Sequence, residues 1–219
     1  MSTRSNFDQN LKELKEQILN MAEEAKKAVT KSMLALKNQD FIIAEKIIDN
    51  DIKLNKMEEI INEKAIFLIA TEAPVAVDLR KIITAIKISS EIERIADMAV
   101  NIAKSTLHIG HEQLMIPIEK VETMMGIALK MFSDSMIAYY GEDEEFARQC
   151  AKKDDAVDEM YGELITEMIV NTPTHPKARK QITQLGFICR YIERIADHVT
   201  NISENVVYLA TGRQSGLNV

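Results

Sequence analysis

The chain has 219 residues, of which 46% are hydrophobic and 28% charged, and its formal net charge is −7. The acidic balance argues against a nucleic-acid partner, because nucleic-acid-binding surfaces are clustered and basic, and against attraction to an anionic membrane. No apolar stretch approaches a membrane-spanning length, and residues 1–10 contain no secretory signal. We therefore predict a cytoplasmic protein without direct membrane insertion.

Three long helices are predicted in the first half of the chain. The first covers about 7–36, where apolar residues recur at alternating spacings of four and three, a pattern that predicts packing in a left-handed bundle. Asp40 is a suitable N-cap for the second helix, which runs to about residue 68. Pro74 marks the next turn, and the third helix covers about 77–107.

Three further helices are predicted in the second half, after a linker bracketed by Gly110 and Pro117. They cover about 118–140, 143–170 and 177–209. Gly141 separates the first two of these helices, and Pro173 and Pro176 separate the last two.

The two halves are related by an internal duplication. A shift of 103 residues aligns their first and second helices, and a shift of 100 residues aligns their third helices. The chain is predicted to be all-α, with two tandem homologous three-helix bundles at 1–109 and 110–212 and a flexible tail at 213–219. Helices of this length must lie alongside one another, so the two bundles are joined either end to end or side by side.

The sequence Glu-Arg-Ile-Ala-Asp occurs on the third helix of both halves, at 93–97 and 193–197. Its two acids are four residues apart and therefore lie on one face of the helix, in line with a partly apolar stripe. On a single helix this spacing is more often a solvated charge pattern or an arginine-paired face than a metal site.

The second helices carry matching pairs, Asp51 with Asn55 and Asp154 with Asp158. Each half therefore places two polar pairs on neighbouring helices, on the faces predicted to meet. Crowded carboxylates that lose water repel one another, so cations, arginines or protonation must compensate. Arg94, Arg194 and Arg190 supply local positive charge, but the acids outnumber the bases.

With its duplicated pentapeptide, the Asp-Leu-Arg at 78–80 and the Asn-Ile at 101–102 and 201–202, the chain resembles the PhoU family of phosphate-transport accessory and regulatory proteins. The resemblance covers nearly the full length. It implies a cytoplasmic, non-enzymatic regulator, commonly a homodimer, that represses the phosphate-starvation response. The implied partners are the ATPase subunit of the phosphate ABC transporter and the phosphate sensor histidine kinase.

The family resemblance also implies metal binding, since some members hold multinuclear iron or zinc clusters, or other divalent cations, through such motifs. No organic cofactor, cofactor-binding residue or catalytic residue is expected. Asn55 departs from the pattern, because an amide brings no charge, and the first cluster should therefore bind metal more weakly. The implied ligands are Asp51, Asn55, Glu93, Asp97, Asp154, Asp158, Glu193 and Asp197.

Two other functions are considered. The paired carboxylates could serve a metal-dependent phosphohydrolase, although the sequence has no Gly-rich phosphate loop and no nucleophile elbow. A ferritin-like di-iron protein requires Glu-x-x-His, and no histidine here has an acid three residues earlier. His198, next to Asp197, points about 100° away from it, so we predict a surface role or a role supporting the ligands.

Overall fold

The computed structural model describes residues 3–111, 113–114, 117–171 and 178–217, and within these ranges the chain is helical and has no strand. The predicted all-α fold is confirmed. The segment containing Pro173 and Pro176 lies outside the described residues. The helices are α1 Thr3–Asn38, α2 Phe41–Asp49, α3 Asp51–Glu72, α4 Ala76–Ile109, α5 Glu119–Gly141, α6 Glu144–Ala151, α7 Asp154–Asn171 and α8 Arg179–Thr211.

These eight segments form six rods, because the second rod of each half is broken once. The break falls at Asn50 between α2 and α3, and at 152–153 between α6 and α7. At the first break the Asn50 side chain donates to the Lys46 carbonyl at 2.7 Å, an alternative to regular helical bonding that asparagine commonly offers. The breaks place Asp51 and Asp154 in the first turn of the helices that follow.

Equivalent aspartates begin the second rod in both halves. Asp40 Oδ1 accepts a hydrogen bond from the Ile43 amide at 3.0 Å, and Asp143 Oδ1 accepts one from the Phe146 amide at the same distance. Each side chain satisfies one of the amides that have no partner inside the helix. The predicted N-cap at Asp40 is confirmed, and the same capping hydrogen bond is repeated at Asp143 in the second half.

The third rods, α4 and α8, lie side by side and antiparallel at the centre of the molecule. Arg80, near the start of α4, donates to the Leu209 carbonyl near the end of α8 at 3.3 Å, while Glu91 contacts His198 further along both helices. At the other end, Gln181 donates to the Gln113 carbonyl at 3.0 Å. The other helices of the first half pack on α4 and those of the second half on α8, so the halves are joined side by side.

The core is continuous across the two halves. Ile88, Ile92 and Ile95 of α4 are fully buried, and so are their equivalents on α8, 100 residues later. Each such side chain contributes about 1.5–3 kcal/mol by leaving water. Among the described residues, no helix is both long enough and apolar enough to cross a membrane.

The final described segment contacts the helical body. The Leu217 amide donates to Glu204 Oε1 at 2.7 Å, and Arg148 donates to the Ser215 hydroxyl at 3.2 Å. The flexibility of residues 213–219 stays a prediction, as do the boundaries of the two bundles.

Candidate metal centres

Two polar clusters lie where the second and third rods of each half pack together. The first cluster is defined here as Asp51, Asn55, Glu93 and Asp97, on α3 and α4, and the second cluster as Asp154, Asp158, Glu193 and Asp197, on α7 and α8. In both, acids from neighbouring helices are close enough to change one another's pKa.

Two acids of the second cluster are buried. Asp154 and Glu193 are 6% and 9% exposed. Loss of water, followed by repulsion from Asp158 and Asp197, raises the pKa of Asp154 to about 6. Loss of water and repulsion from Asp197 likewise raise the pKa of Glu193 to about 6, although Arg190 acts in the opposite direction. The charged form of this cluster is thus under-compensated near neutral pH.

The first cluster is electrostatically milder. Burial, followed by repulsion from Asp97, raises the pKa of Asp51, while Lys104 opposes the shift. Burial and Asp97 also raise the pKa of Glu93, against the effect of Arg94. Two basic residues therefore act on this cluster. Asp51 is also less deeply buried than Asp154, so a smaller loss of water and the local charge together make the pKa shifts milder.

Buried carboxylate oxygens without a hydrogen-bond partner occur at equivalent positions in the two clusters. They are Asp51 Oδ1 and Glu93 Oε2 in the first cluster, and Asp154 Oδ1 and Glu193 Oε2 in the second. Most buried polar atoms in folded proteins are hydrogen-bonded, so four such oxygens at repeated positions require an explanation. A cation or a proton would supply what they lack, although at Asp154 the neighbouring Thr200 hydroxyl already opposes the rise in pKa.

Two of the three arginines that the sequence singled out, Arg94 and Arg190, partly neutralise the acids, whereas Arg194 forms no ion pair with the described residues. Arg94 contacts Asp97 Oδ2 at 3.2 Å and approaches Glu93 Oε2 at 3.5 Å without a hydrogen bond. Arg190 pairs with Glu193 Oε1. Both arginine side chains are about half exposed, at 55% and 50%, so they can move into solvent at little cost.

Within the described ranges, no group of three or more His, Cys, Asp or Glu side chains forms a ready-made metal site. The physical reason is that unneutralised carboxylates repel one another and that two arginines already bind some of their oxygens. The donor set still fits a divalent cation, since it offers carboxylate oxygens only, apart from the amide of Asn55. The metal role of the eight residues stays a prediction.

The structure adds acids that the sequence pattern did not single out. Glu58, about two turns after Asp51 on the same face of α3, raises the pKa of Glu93, and Asp155 raises the pKa of both Asp154 and Asp158. Neither follows the four-residue spacing that defined the motif. The packing of α3 on α4 shows the contribution of Glu58, whereas Asp155 acts within α7.

His198 lies between the two halves rather than on the open surface. Its Nδ1 is 2.7 Å from Glu91 Oε2, and Asn201 donates to the same oxygen at 3.2 Å. The side chain is 16% exposed. Position 191, which corresponds to Glu91 in the duplication, is a tyrosine, so the repeat gave no signal for this contact.

Comparison with known proteins identifies the family. The PhoU domain matches residues 18–106 and again residues 121–206, once in each half. The chain belongs to the PhoU family. A Clostridium acetobutylicum relative named as a PhoU homolog, a phosphate-specific transport system accessory protein, is 38% identical over 218 residues and 99% of both chains. A Rhizobium meliloti relative of the same name is 34% identical, with 96% of this chain and 89% of that protein covered.

Solved PhoU structures have the same fold. The crystal structure of the phosphate transport system regulatory protein PhoU from Streptococcus pneumoniae superposes with a TM-score of 0.88 at 30% identity, covering 95% of this chain and 99% of that one. PhoU from Pseudomonas aeruginosa gives 0.90 at 28% identity, covering 94% and 100%. The predicted PhoU resemblance and the tandem three-helix fold are confirmed.

Proposed function

We propose that this chain is a non-enzymatic regulator of phosphate uptake. It couples the ATPase subunit of the phosphate ABC transporter to the phosphate sensor histidine kinase and represses the phosphate-starvation response when phosphate is plentiful. The protein acts in the cytoplasm, as a homodimer. The observation that carries the proposal is the PhoU similarity over both halves and nearly the full length, together with the role of the relatives as transport accessory proteins.

The second part of the proposal is that the two clusters bind divalent metal ions. Support comes from the buried oxygens of Asp154 and Glu193, which have no hydrogen-bond partner, and from their raised pKa values. In the second cluster Asp154 and Asp158 of α7 and Glu193 and Asp197 of α8 would hold the metal. A bound iron, zinc or other divalent cation would supply the positive charge that these acids lack.

The acids of each cluster come from two adjacent helices and repel one another when they are charged and no cation is bound. When their charge is neutralised, α7 and α8 are held together along the second cluster, and α3 and α4 along the first. Arg94 and Arg190 then lose carboxylate partners and turn toward solvent, which changes the exposed face of each half. A partner that binds one of these two states better than the other would be regulated by that difference.

The regulatory role is tested by deletion and complementation. Removal of the gene is expected to leave the phosphate-starvation response active in phosphate-rich medium, measured with a reporter of that response. The unaltered protein restores repression and co-purifies with the transporter ATPase. Asp154→Asn weakens repression, whereas the control Glu159→Gln, an exposed acid on the same helix, does not. A deletion strain with a normal response would contradict the proposal.

A further inference from the structure

The break in each second rod raises the question of what fixes the residue that follows it. A continuous helix sets the direction of every side chain through its hydrogen-bond ladder, whereas at a break the ladder is interrupted. Two backbone bonds remain here, from the Lys152 amide to the Arg148 carbonyl at 3.3 Å and from the Lys153 amide to the Cys150 carbonyl at 3.1 Å. Asp154 comes directly after the break at 152–153. Its placement against Glu193 and Asp197 therefore depends on contacts of the break itself.

An ion pair between a buried carboxylate and a partly exposed lysine ties this break to the first rod of the same half. Asp134, in the middle of α5, has a side chain only 3% exposed. Lys153, the residue before Asp154, donates to Asp134 Oδ2 at 2.8 Å. Lys130, one turn before Asp134 on α5, donates to Oδ1 at 2.7 Å. Both carboxylate oxygens are thus engaged, one by a lysine at the break and one by a lysine on the same helix.

Hydrogen bonding outweighs burial at Asp134. Burial alone acts to raise the pKa of this carboxyl, but the bonds from Lys130 and Lys153 hold it below its usual value. Asp134 is therefore charged and satisfied, in contrast to Asp154 close by, whose Oδ1 has no partner. The two acids therefore differ in their need for a cation, since each oxygen of Asp134 already accepts a hydrogen bond from a lysine.

The first half makes the same kind of connection with other residues. Glu24 on α1 is held by Lys27, one turn away at 3.0 Å, and by Lys53, just after the break at Asn50. The duplication places Lys31 at the position of Asp134. An acid between two lysines therefore links the first rod to the break in both halves, although the acids are not equivalent. Common ancestry alone does not produce that arrangement.

The two connections differ in exposure. The Glu24 side chain is 25% exposed, against 3% for Asp134, so water screens the first connection more strongly. Lys53 also lies two residues after Asp51, whereas Lys153 is the immediate neighbour of Asp154. The second connection is both drier and closer to the cluster that it would support.

We propose that Asp134 and Lys153 are positioning residues for the second cluster: their ion pair holds the break between α6 and α7 so that Asp154 faces Glu193 and Asp197. This inference rests on the proposed metal function and names residues outside the ligand set. Its consequence is that metal affinity at the second cluster depends on a lysine that touches no metal. Partners that orient a ligand typically change metal affinity by about 10- to 100-fold when removed.

The test uses the full chain with Glu93→Ala/Asp97→Ala, so that only the second cluster can bind. Mn²⁺ is titrated and its free fraction followed by electron paramagnetic resonance, with Zn²⁺ competition as a second probe. Lys153→Met is expected to weaken Mn²⁺ binding by about tenfold or more. The matched control is Lys130→Met, which removes the other lysine on Asp134 but keeps the ion pair between Asp134 and Lys153. Its loss of Mn²⁺ affinity is expected to be clearly smaller.

Parallel melting curves of the metal-free variants separate positioning from general stabilisation. Equal losses of Mn²⁺ affinity in Lys130→Met and Lys153→Met, following equal falls in melting temperature, overturn the inference, as does an unchanged affinity in Lys153→Met. Lys153→Gln keeps a hydrogen-bond donor for Asp134 and decides the matter if Lys153→Met does not fold. An intermediate loss of Mn²⁺ affinity in Lys153→Gln supports the inference, and an unchanged affinity overturns it. A parent that binds neither Mn²⁺ nor Zn²⁺ overturns the metal function itself, and this inference with it.

Discussion

The two carboxylate clusters have the same position in the same fold, yet they differ in charge. An asparagine at 55 replaces the aspartate at 158, and Lys104, which acts on Asp51, corresponds to Glu204 in the second half. The pKa of Asp154 and that of Glu193 reach about 6 in the second cluster. The two halves share the backbone framework and the acids on α4 and α8. The surrounding residues determine how much negative charge in each cluster is left uncompensated.

The largest expected effect is on metal content. Protein purified without chelator or metal-affinity resin is expected to retain divalent metal, and Glu193→Ala/Asp197→Ala to lose most of it. Glu93→Ala/Asp97→Ala loses less, because the first cluster has less uncompensated charge. Elemental analysis by mass spectrometry measures the metal in each protein. Equal losses in the two variants would show that the difference in charge does not govern binding.

Asn55→Asp gives the first cluster the acid that the second one has. The added charge is expected to raise metal binding at the first cluster toward that of the second, because carboxylate ligands bind hard cations more strongly than amides do. The measurement is a metal titration in the Glu193→Ala/Asp197→Ala background. Asn20→Asp, at an exposed position on α1 of the same half, is the control for added charge, and an equal gain there would contradict the interpretation.

Asp154→Asn is expected to stabilise the metal-free protein at pH 7.5. It removes a buried charge whose pKa is raised to about 6, and the gain is on the order of 1–2 kcal/mol. Asp51→Asn gives a smaller gain, since Asp51 is less deeply buried than Asp154 and Lys104 offsets part of the repulsion. Because the chain has no Trp, urea unfolding is followed by circular dichroism with chelator present. A destabilised Asp154→Asn protein would mean that the charge is compensated.

The pH dependence of the metal-free protein follows from the same shifts. Asp154 and Glu193 hold protons more tightly in the folded than in the unfolded chain, whose acids titrate near about 4. The free energy of unfolding contributed by these groups therefore falls as the pH rises from about 4 through about 6, and the penalty is complete above that. Unfolding at pH 5.0 and 7.5 is expected to show this loss, and Asp154→Asn with Glu193→Gln to reduce it.

The smallest effects concern features that the halves share. Asp40→Ala and Asp143→Ala each remove an equivalent helix cap, and each is expected to lower the free energy of unfolding by about 1 kcal/mol. Similar values would show that the halves differ in their clusters and not in their framework. A large difference between the two substitutions, measured by urea unfolding, would place the asymmetry in the framework as well.

Much of the fold could be predicted from the sequence, because the spacing of apolar residues indicates helices and the alignment of the two halves shows the duplication. The apolar periodicity, the cap at Asp40 and the repeated acids of α4 and α8 are all local signals. The breaks at Asn50 and at 152–153 were not predicted, since Asn and Lys are tolerated inside helices. Asp134 was missed because only its contact with Lys130 follows a local spacing, whereas its contact with Lys153 at the break depends on how the rods pack.

The clusters themselves were only partly predictable. The spacing predicted acids on meeting faces, and Asp154 and Glu193 are buried, but Asp158 is exposed. The arginine contacts are not repeated: Arg94 serves the first cluster and Arg190 the second, at positions the duplication does not relate. Such pairings depend on side-chain rotamers and on the neighbouring helix. Glu91 with His198 is a further example, because it joins residues 107 apart in sequence.

The antiparallel pairing of α4 with α8 has a consequence for how the protein unfolds. Each half contributes one helix to the shared centre, where α4 and α8 pack on each other and the buried core is continuous. The duplicated chain should therefore melt as one cooperative unit, and an isolated half would expose the face of its third helix that packs on the other half. A destabilising substitution in either half should therefore lower the stability of both halves together.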